Sequence, residues 1–498
     1  MSLDSLRHLS LVCWVCCVAA QQIVPAFVQR PAWPYYTPWP KVIVDLDNDG
    51  VPEVVEALNL YSTTPGPTLT YRKVRGNGEW IMGPSFTSAA GGTITFHRAL
   101  AAADVDGDGD QDVFVGRALG SVPWPDQIWL GDGMGGLTDA SAQLPGTLTF
   151  LGAAEFVDVD GDGDQDLVLC DAYRLLLWIN DGTGRFSDQT THRLPGHDLY
   201  APRRCIPIDA DQDGDMDLFV VNGWGTFQPV VLYVNNGRGV FKPRDQGTIA
   251  GAVDAFRLDA DADGWDDVFA IFGGSSMLYL SNPGQTLMAQ APQYIPTLPT
   301  GYRLTQVSTV IDFDGDGDLD IVGDLGALGW RLWENTGAGF VDVSNRLPTM
   351  GPSGANIVID YDLDGDVDLF HGGGVVFNTP WSFYVSNTSR EAVTITEPTR
   401  GGSYAVQFYA KANHMMAVGV ATHALRQPMG AFGILFLDPP QTATAGLLFF
   451  TALGRQTVTM AVPNVPTLLG QFLCMQGLDV DLGTNTMHLT NSPFSSIQ

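Results

Sequence analysis

Seven acidic nonapeptides hold most of the groups in this chain that could do chemistry. They read DLDNDGVPE from Asp45, DVDGDGDQD from Asp104 and again from Asp158, and DADQDGDMD from Asp209. The series continues with DADADGWDD from Asp259, DFDGDGDLD from Asp312 and DYDLDGDVD from Asp360. Positions 1, 3 and 5 are acidic in every copy, position 6 is Gly, and position 9 is Asp or Glu. Alternate carboxylates on an extended segment point the same way, so three can converge on one cation. Gly at position 6 allows a sharp reversal that returns the ninth residue, and a backbone carbonyl at position 7 can complete an oxygen shell. Hard carboxylates without His or Cys select Ca2+, with Mg2+ second.

The expected ligands are therefore Asp45, Asp47, Asp49, Val51 and Glu53 in the first loop, and Asp104, Asp106, Asp108, Asp110 and Asp112 in the second. The third offers Asp158, Asp160, Asp162, Asp164 and Asp166, and the fourth Asp209, Asp211, Asp213, Asp215 and Asp217. The fifth offers Asp259, Asp261, Asp263, Trp265 and Asp267, and the sixth Asp312, Asp314, Asp316, Asp318 and Asp320. Asp360, Asp362, Asp364, Asp366 and Asp368 complete the seventh, for up to seven ions. Val51 and Trp265 ligate through their carbonyls, and the first and fifth loops are expected to be the weaker sites. A single Asp-Gly loop could be a solvated hairpin; seven in register argue for metal.

Charge places the same demand. The 498-residue chain has 55 acidic and 25 basic residues, a net charge of −30. The loops hold 34 of the acids and no Lys or Arg, so the rest of the chain is slightly basic. Carboxylates packed this closely repel one another without a cation. So acidic a protein is a poor ligand for nucleic acid or anionic membranes.

The elements that position the loops repeat at intervals of 59, 54, 51, 50, 53 and 48 residues. Each loop lies between two short apolar runs, such as Lys41-Val42-Ile43-Val44 before the first and Val113-Phe114-Val115 after the second. A third run carries an aromatic: Trp129, Trp178, Tyr233, Tyr279 or Trp333. It enters a turn such as NDGTGRF from Asn180 or NNGRGVF from Asn235, where Gly supplies positive φ. Each unit is four short strands without helical periodicity. Seven such units fit an all-β, seven-bladed β-propeller; an eight-bladed ring or open solenoid is the alternative. The last unit is one strand short, and a segment near 23–29 is expected to complete it and close the ring.

This pattern, D-x-D-x-D-G-x-x-D followed by a strand and an N-x-G-x-G-x-F turn, resembles the FG-GAP/VCBS repeat over about 21–390. The repeat builds the propeller of integrin α subunits and of many secreted bacterial proteins. The resemblance implies calcium loops on one face and a ligand face opposite. The FG and GAP tripeptides themselves are mostly absent; Phe150-Leu151-Gly152-Ala153-Ala154 is a loose echo, so no integrin partnership is implied.

Residues 1–20 read as a signal peptide, with Arg7 and His8 before the apolar run Leu9–Ala20 and a cut after Val18-Ala19-Ala20. A secreted or cell-surface protein without a transmembrane helix is expected. Of six cysteines, Cys170, Cys205 and Cys474 remain after residue 20, and buried free thiols are expected over a Cys170–Cys205 bridge. On the face away from the acidic loops, Trp124, Trp224 and Phe227, with Arg98, Arg203, Arg204 and Arg303 near the channel mouth, could bind a glycan or protein. His97, His192, His197 and His371 lie in different repeats and outline no catalytic constellation, so a binding module is expected over a lyase-like carbohydrate enzyme or a pure scaffold. From 391 to 498 acids become rare and alternating runs predict a small β-sandwich. Its ending resembles C-terminal modules of exported planctomycete-like proteins; His414, His423 and His488 lie within it.

Overall fold

A computed structural model describes residues 27–31, 41–57, 69–75, 79–87, 96–118, 126–146, 151–171, 174–196, 202–223, 228–249, 252–272, 276–281, 288–290, 304, 309–313, 318–325, 329–347, 356–359, 367–372, 382–387 and the strands between 392 and 496. Acidic loops one to five lie wholly within this set. Asp314, Asp316, Asp360, Asp362, Asp364 and Asp366 lie outside it, as do the expected signal peptide and Trp124, Trp224, Phe227, His197, Arg303 and His423.

Among the described residues, the chain forms seven four-stranded antiparallel sheets, the blades of a β-propeller. Six are consecutive in sequence, covering 41–86, 96–139, 151–188, 202–249, 252–290 and 309–342. In each, the first two strands flank the acidic loop, and in blades two to six the third carries the aromatic, as the periodicity predicts. The seventh sheet combines Asn356–Ile359, Asp368–Gly372 and Ser382–Asn387 with Phe27–Pro31 from the start of the chain. The expected ring closure is thus present, in a strand that overlaps the 23–29 window at Phe27–Gln29. Phe27 pairs with Asn387 and Pro31 with Phe383. Phe27–Pro31 is the outer strand of its sheet, where a proline without N–H is tolerated.

First strands of successive blades pack side by side: Lys41–Val44 on Phe96–Ala103, then Leu151–Val157, Pro202–Ile208, Ala252–Leu258 and Thr309–Ile311. The cores lie between blades rather than within them. Val55 and Leu69 of blade one bury against Val113 and Trp129 of blade two, and Val168 and Leu177 of blade three against Val220 and Tyr233 of blade four. The five third-strand aromatics are nearly inaccessible. Each blade therefore leaves an apolar face that only its neighbour covers, which is why the repeat must close radially. Cys170 and Cys205 are free and buried in the interface between blades three and four.

Several buried aromatics are imperfectly satisfied, Trp178, Trp333 and Tyr279 among them. The Tyr279 hydroxyl has no hydrogen-bond partner, and burial raises its pKa. Tyr279→Phe should therefore stabilise the protein by about 1 kcal/mol, since it removes an unmet desolvation cost. A shift in the denaturant midpoint checks this.

Beyond the blades, Ala392–Thr396, Ser403–Ala410 and Gly454–Ala461 form one sheet, and Thr442–Phe450, His414–Ala421, Phe472–Asp481 and Met487–Leu489 another, with Phe494–Ser496 also paired to Phe472–Asp481. Val406, Met416 and Val418 are buried there.

Candidate metal centres

Loop geometry follows from backbone demands. The position 6 glycines Gly50, Gly109, Gly163, Gly214 and Gly264 all have φ between +81° and +95°. Position 4 is also left-handed, which the sequence pattern did not reveal. Gly107 and Gly161 adopt it freely, but Asn48, Gln212 and Ala262 are held at φ of 53°, 60° and 57°. For alanine this costs about 1–2 kcal/mol. Ala262→Gly should recover about 1 kcal/mol, read as a rise in denaturant midpoint at fixed calcium.

Position 1 organises the loop. The Asp104 carboxylate accepts from the amides of Gly107 (2.8 Å) and Gly109 (2.9 Å), and Asp158 from Gly161 (2.8 Å) and Gly163 (3.0 Å). Position 5 accepts from the amide of position 7: Asp110 to Asp108 at 3.0 Å, Trp265 to Asp263 at 2.9 Å. Position 3 differs. Oδ1 of Asp106, Asp160, Asp211 and Asp261 is buried with no hydrogen-bond partner. Burial, with repulsion from neighbouring carboxylates, raises the pKa of Asp106, Asp211 and Asp261.

These oxygens converge. Carboxylates of Asp104, Asp106 and Asp108 approach within 4.8 Å of one another, as do those of Asp158, Asp160 and Asp166, of Asp209, Asp211 and Asp213, and of Asp259, Asp261 and Asp263. A set of oxygens with one buried, partnerless member suits a hard cation. The Trp265 indole is exposed, so this position can contribute only through its backbone.

Position 9 has a role that ligand spacing alone did not suggest. Asp112, Asp166, Asp217, Asp267 and Asp320 are buried, and each joins the loop to its own blade. One oxygen accepts from the amide of position 2: Val105 at 2.7 Å, Val159 at 3.1 Å, Ala210 at 3.2 Å, Ala260 at 3.0 Å and Phe313 at 2.8 Å. The other accepts from the residue at or just past the end of the third strand: Gly131, Asn180, Asn235, Ser281 or Asn335, at 2.7–2.9 Å. Burial drives these carboxyls up, Asp112 to about 6 and Asp166, Asp217 and Asp267 to about 7. In loops one to six position 2 is apolar and plugs the core beneath the loop; Leu46, Val105 and Val159 are buried.

The Asn-Gly turns act across blades. Asn180 Nδ2 donates to the Val105 carbonyl of the preceding blade at 2.7 Å, Asn235 to Val159 at 2.7 Å and Asn335 to Asp259 at 2.9 Å. Each turn clasps the neighbouring acidic loop, so loop and turn share one edge of the disc. A Cβ on Gly182, already at φ +76°, would meet an Asp164 carboxylate oxygen at 2.6 Å. Asn235→Ala should destabilise by about 2 kcal/mol, because it orphans buried carbonyls, with calcium affinity of the third loop falling alongside.

Spacing, apolar flanks and turns together decide the family. A family model described as FG-GAP-like repeat matches 45–115, 104–169, 158–220 and 259–323. The chain carries FG-GAP-like repeats. Each matched segment starts at position 1 of an acidic loop and ends just past the loop of the next repeat or within its second strand. Solved structures with overlapping folds include a lectin from Agrocybe aegerita, described for recognition of non-reducing terminal N-acetylglucosamine, at 15% identity over 70% of this chain and 93% of that one, TM-score 0.46. A Photorhabdus luminescens Tc holotoxin pore matches at 13% identity over 92% of this chain and 18% of that one, TM-score 0.41. A fructofuranosidase from Schwanniomyces occidentalis matches at 7% identity, 95% and 91%, TM-score 0.29. Likenesses this distant say nothing of ligand or activity. A search of curated protein sequences returned no match.

A second feature of this FG-GAP propeller lies on the inner strands. A cavity of about 720 Å3 is lined by Glu155, Arg204, Phe256 and Arg257 from blades three to five. Arg204 lies between Glu155, at 3.4 Å, and Asp254, at 3.9 Å. Burial raises both carboxyls, against the pull of the guanidinium. Of the four arginines expected at the channel mouth, Arg204 is the one that lines this cavity; the side chains of Arg98 and Arg303 lie outside the described set. Glu155 and Asp254 were not singled out by sequence, because lone acids on apolar strands carry no motif. Among the described residues, no helix is long and apolar enough to cross a membrane.

Proposed function

We propose that this chain is an exported calcium-binding propeller that presents a protein- or glycan-binding surface. The observation that carries the metal assignment is the recurrence of one buried, partnerless oxygen at position 3 in four successive blades. A structural hairpin has no reason to orphan the same atom four times, whereas a cation supplies the missing partner. Ca2+ is favoured over Mg2+ because the donors are all oxygen and the loops are irregular, which suits flexible coordination of higher number. When bound, the ion neutralises the loop. The chain's own residues do the rest: position 1 fixes the turn, position 9 ties it to the blade, and the Asn clasps transmit that order to the next blade.

Export follows from the leader-like residues 1–20. We assign 21–390 to the propeller and 391–498 to a β-sandwich module. The binding role is supported by a rigid disc whose channel holds both guanidinium and carboxylate groups. A carbohydrate enzyme is the second reading, favoured by the Glu155–Arg204–Asp254 cluster alone. A polysaccharide and glycan panel, with calcium or with EDTA, separates the two. Calcium-dependent retention without product is the expected result. Release of cleaved or unsaturated sugar, abolished by Glu155→Gln, would replace the binding module with the enzyme.

A further inference from the structure

Loop one is built differently from loops two to five. Lys73, on the third strand Leu69–Arg75, is buried, and its ammonium enters the acidic loop. It pairs with Asp47, with Asp49 at 2.7 Å and with Glu53 at 3.1 Å. The ammonium is hydrogen-bonded to Asp47 and ion-paired with all three carboxylates. Two of the carboxylates it holds, Asp47 and Glu53, belong with Asp45 to the convergent set of this loop.

The register shows that this is a substitution within the repeat. Val54 faces Arg72 in blade one as Val113 faces Trp129, Leu167 faces Trp178, Leu218 faces Tyr233 and Val268 faces Tyr279. One step on, the third strand carries Lys73 in blade one and Leu130, Ile179, Val234 or Leu280 in the others. Two further departures meet at the same point. Position 9 is Glu53 rather than Asp, one methylene longer. Its Oε2 keeps the usual bond from the position 2 amide, Leu46 at 2.8 Å, while Oε1 turns to Lys73 instead of to a turn amide.

The geometry points to Lys73 as a tethered cation that takes the place of the metal in blade one, so that loop one is ordered without calcium. Resting on the calcium reading of the other loops, this lowers the expected maximum from seven ions to six. It also gives the blade that neighbours the ring closure an order independent of the calcium supply.

The test counts calcium bound per full-length chain by equilibrium dialysis at saturating free Ca2+. Lys73→Met should bind one ion more than wild type, because Asp47, Asp49 and Glu53 are released. Lys73→Arg, which keeps the charge, should not gain an ion. Asp47→Asn in the wild-type background should leave the count unchanged, and this holds as a test even if Lys73→Met folds poorly. A count lowered by one in Asp47→Asn would overturn the inference, since loop one would then be loaded in wild type. So would a folded Lys73→Met with the wild-type count. In both cases wild type still binds calcium, so the metal reading survives; a wild-type chain that binds none would sink that reading and the inference with it.

Discussion

Chelation with EDTA should lower the melting temperature strongly, and the loss should be larger at pH 8 than at pH 5. Each site occupied at 100 times its Kd adds about 2.7 kcal/mol, and several loops share blade interfaces. The pH dependence has a definite sign. Burial raises the folded-state pKa of Asp112 to about 6 and of Asp166, Asp217 and Asp267 to about 7, above the unfolded value of about 3.9. Groups raised in this way hold protons more tightly in the folded chain. Their contribution is fully present below the unfolded pKa and is lost as pH rises through 6 to 7. The chelated protein should therefore be more stable at pH 5 than at pH 8. Calcium competes with those protons, so its stabilisation grows over the same window. Asp106→Asn separates cation from fold. Because Asp106 Oδ1 has no protein partner and burial and neighbouring carboxylates disfavour its charge, the variant should melt no lower than wild type in EDTA. In calcium it should lose about 2–3 kcal/mol, the worth of one site. A chelated protein that gains stability from pH 5 to pH 8, or an Asp106→Asn penalty equal in both buffers, would refute this account.

Much of this architecture was legible because the repeat states it seven times. The blade number, the strands flanking each loop and the need for a strand from the start of the chain all follow from period and count. Position 3 was readable as a candidate ligand from spacing alone. What stayed hidden is what three-dimensional pairing creates. The double role of position 9 depends on where the third strand ends, about 14–19 residues downstream: Asn180 for Asp166, Gly131 for Asp112. The left-handed residue at position 4 is Gly in loops two and three but Asn, Gln or Ala in loops one, four and five, so composition blurred it. Lys73 lies 20 residues beyond Glu53 on a strand that otherwise reads as amphipathic, and only the register Glu53 to Lys73 brings it into the loop. The first loop's departures were visible in sequence as Asn48, Val51 and Glu53, but read as signs of a weak calcium site. Register supplies a different reason: an internal cation needs a longer acid.

Asp166→Ala should be the most damaging single substitution in the metal loops, at about 3–5 kcal/mol, and most of that should persist in EDTA. Asp166 is buried, and its two oxygens hold the amides of Val159 and Asn180 at 3.1 and 2.9 Å. Truncation leaves two buried N–H groups without acceptors, at about 1–3 kcal/mol each, and also removes an oxygen from the Asp158–Asp160 cluster. The damage should cross the blade boundary, because Asn180 also donates to the Val105 carbonyl of the neighbouring loop. Asp166→Asn tests whether hydrogen bonding or charge dominates. Its amide can offer one acceptor but turns a donor toward the second N–H, so it should recover less than half of the loss. Asp164→Ala is the matched control: it keeps the backbone carbonyl, and Trp265 at the same position of loop five shows that the side chain there is free to vary. It should change stability by less than about 0.5 kcal/mol, as surface substitutions do. Amide exchange gives the spatial readout. Protection should fall at Val159 and Asn180 first and then at Val105, while the Ser281 amide, held by Asp267 two blades away, keeps its protection. Uniform loss across all blades would mean that the ring unfolds as one unit and that position 9 does not act through its own blade.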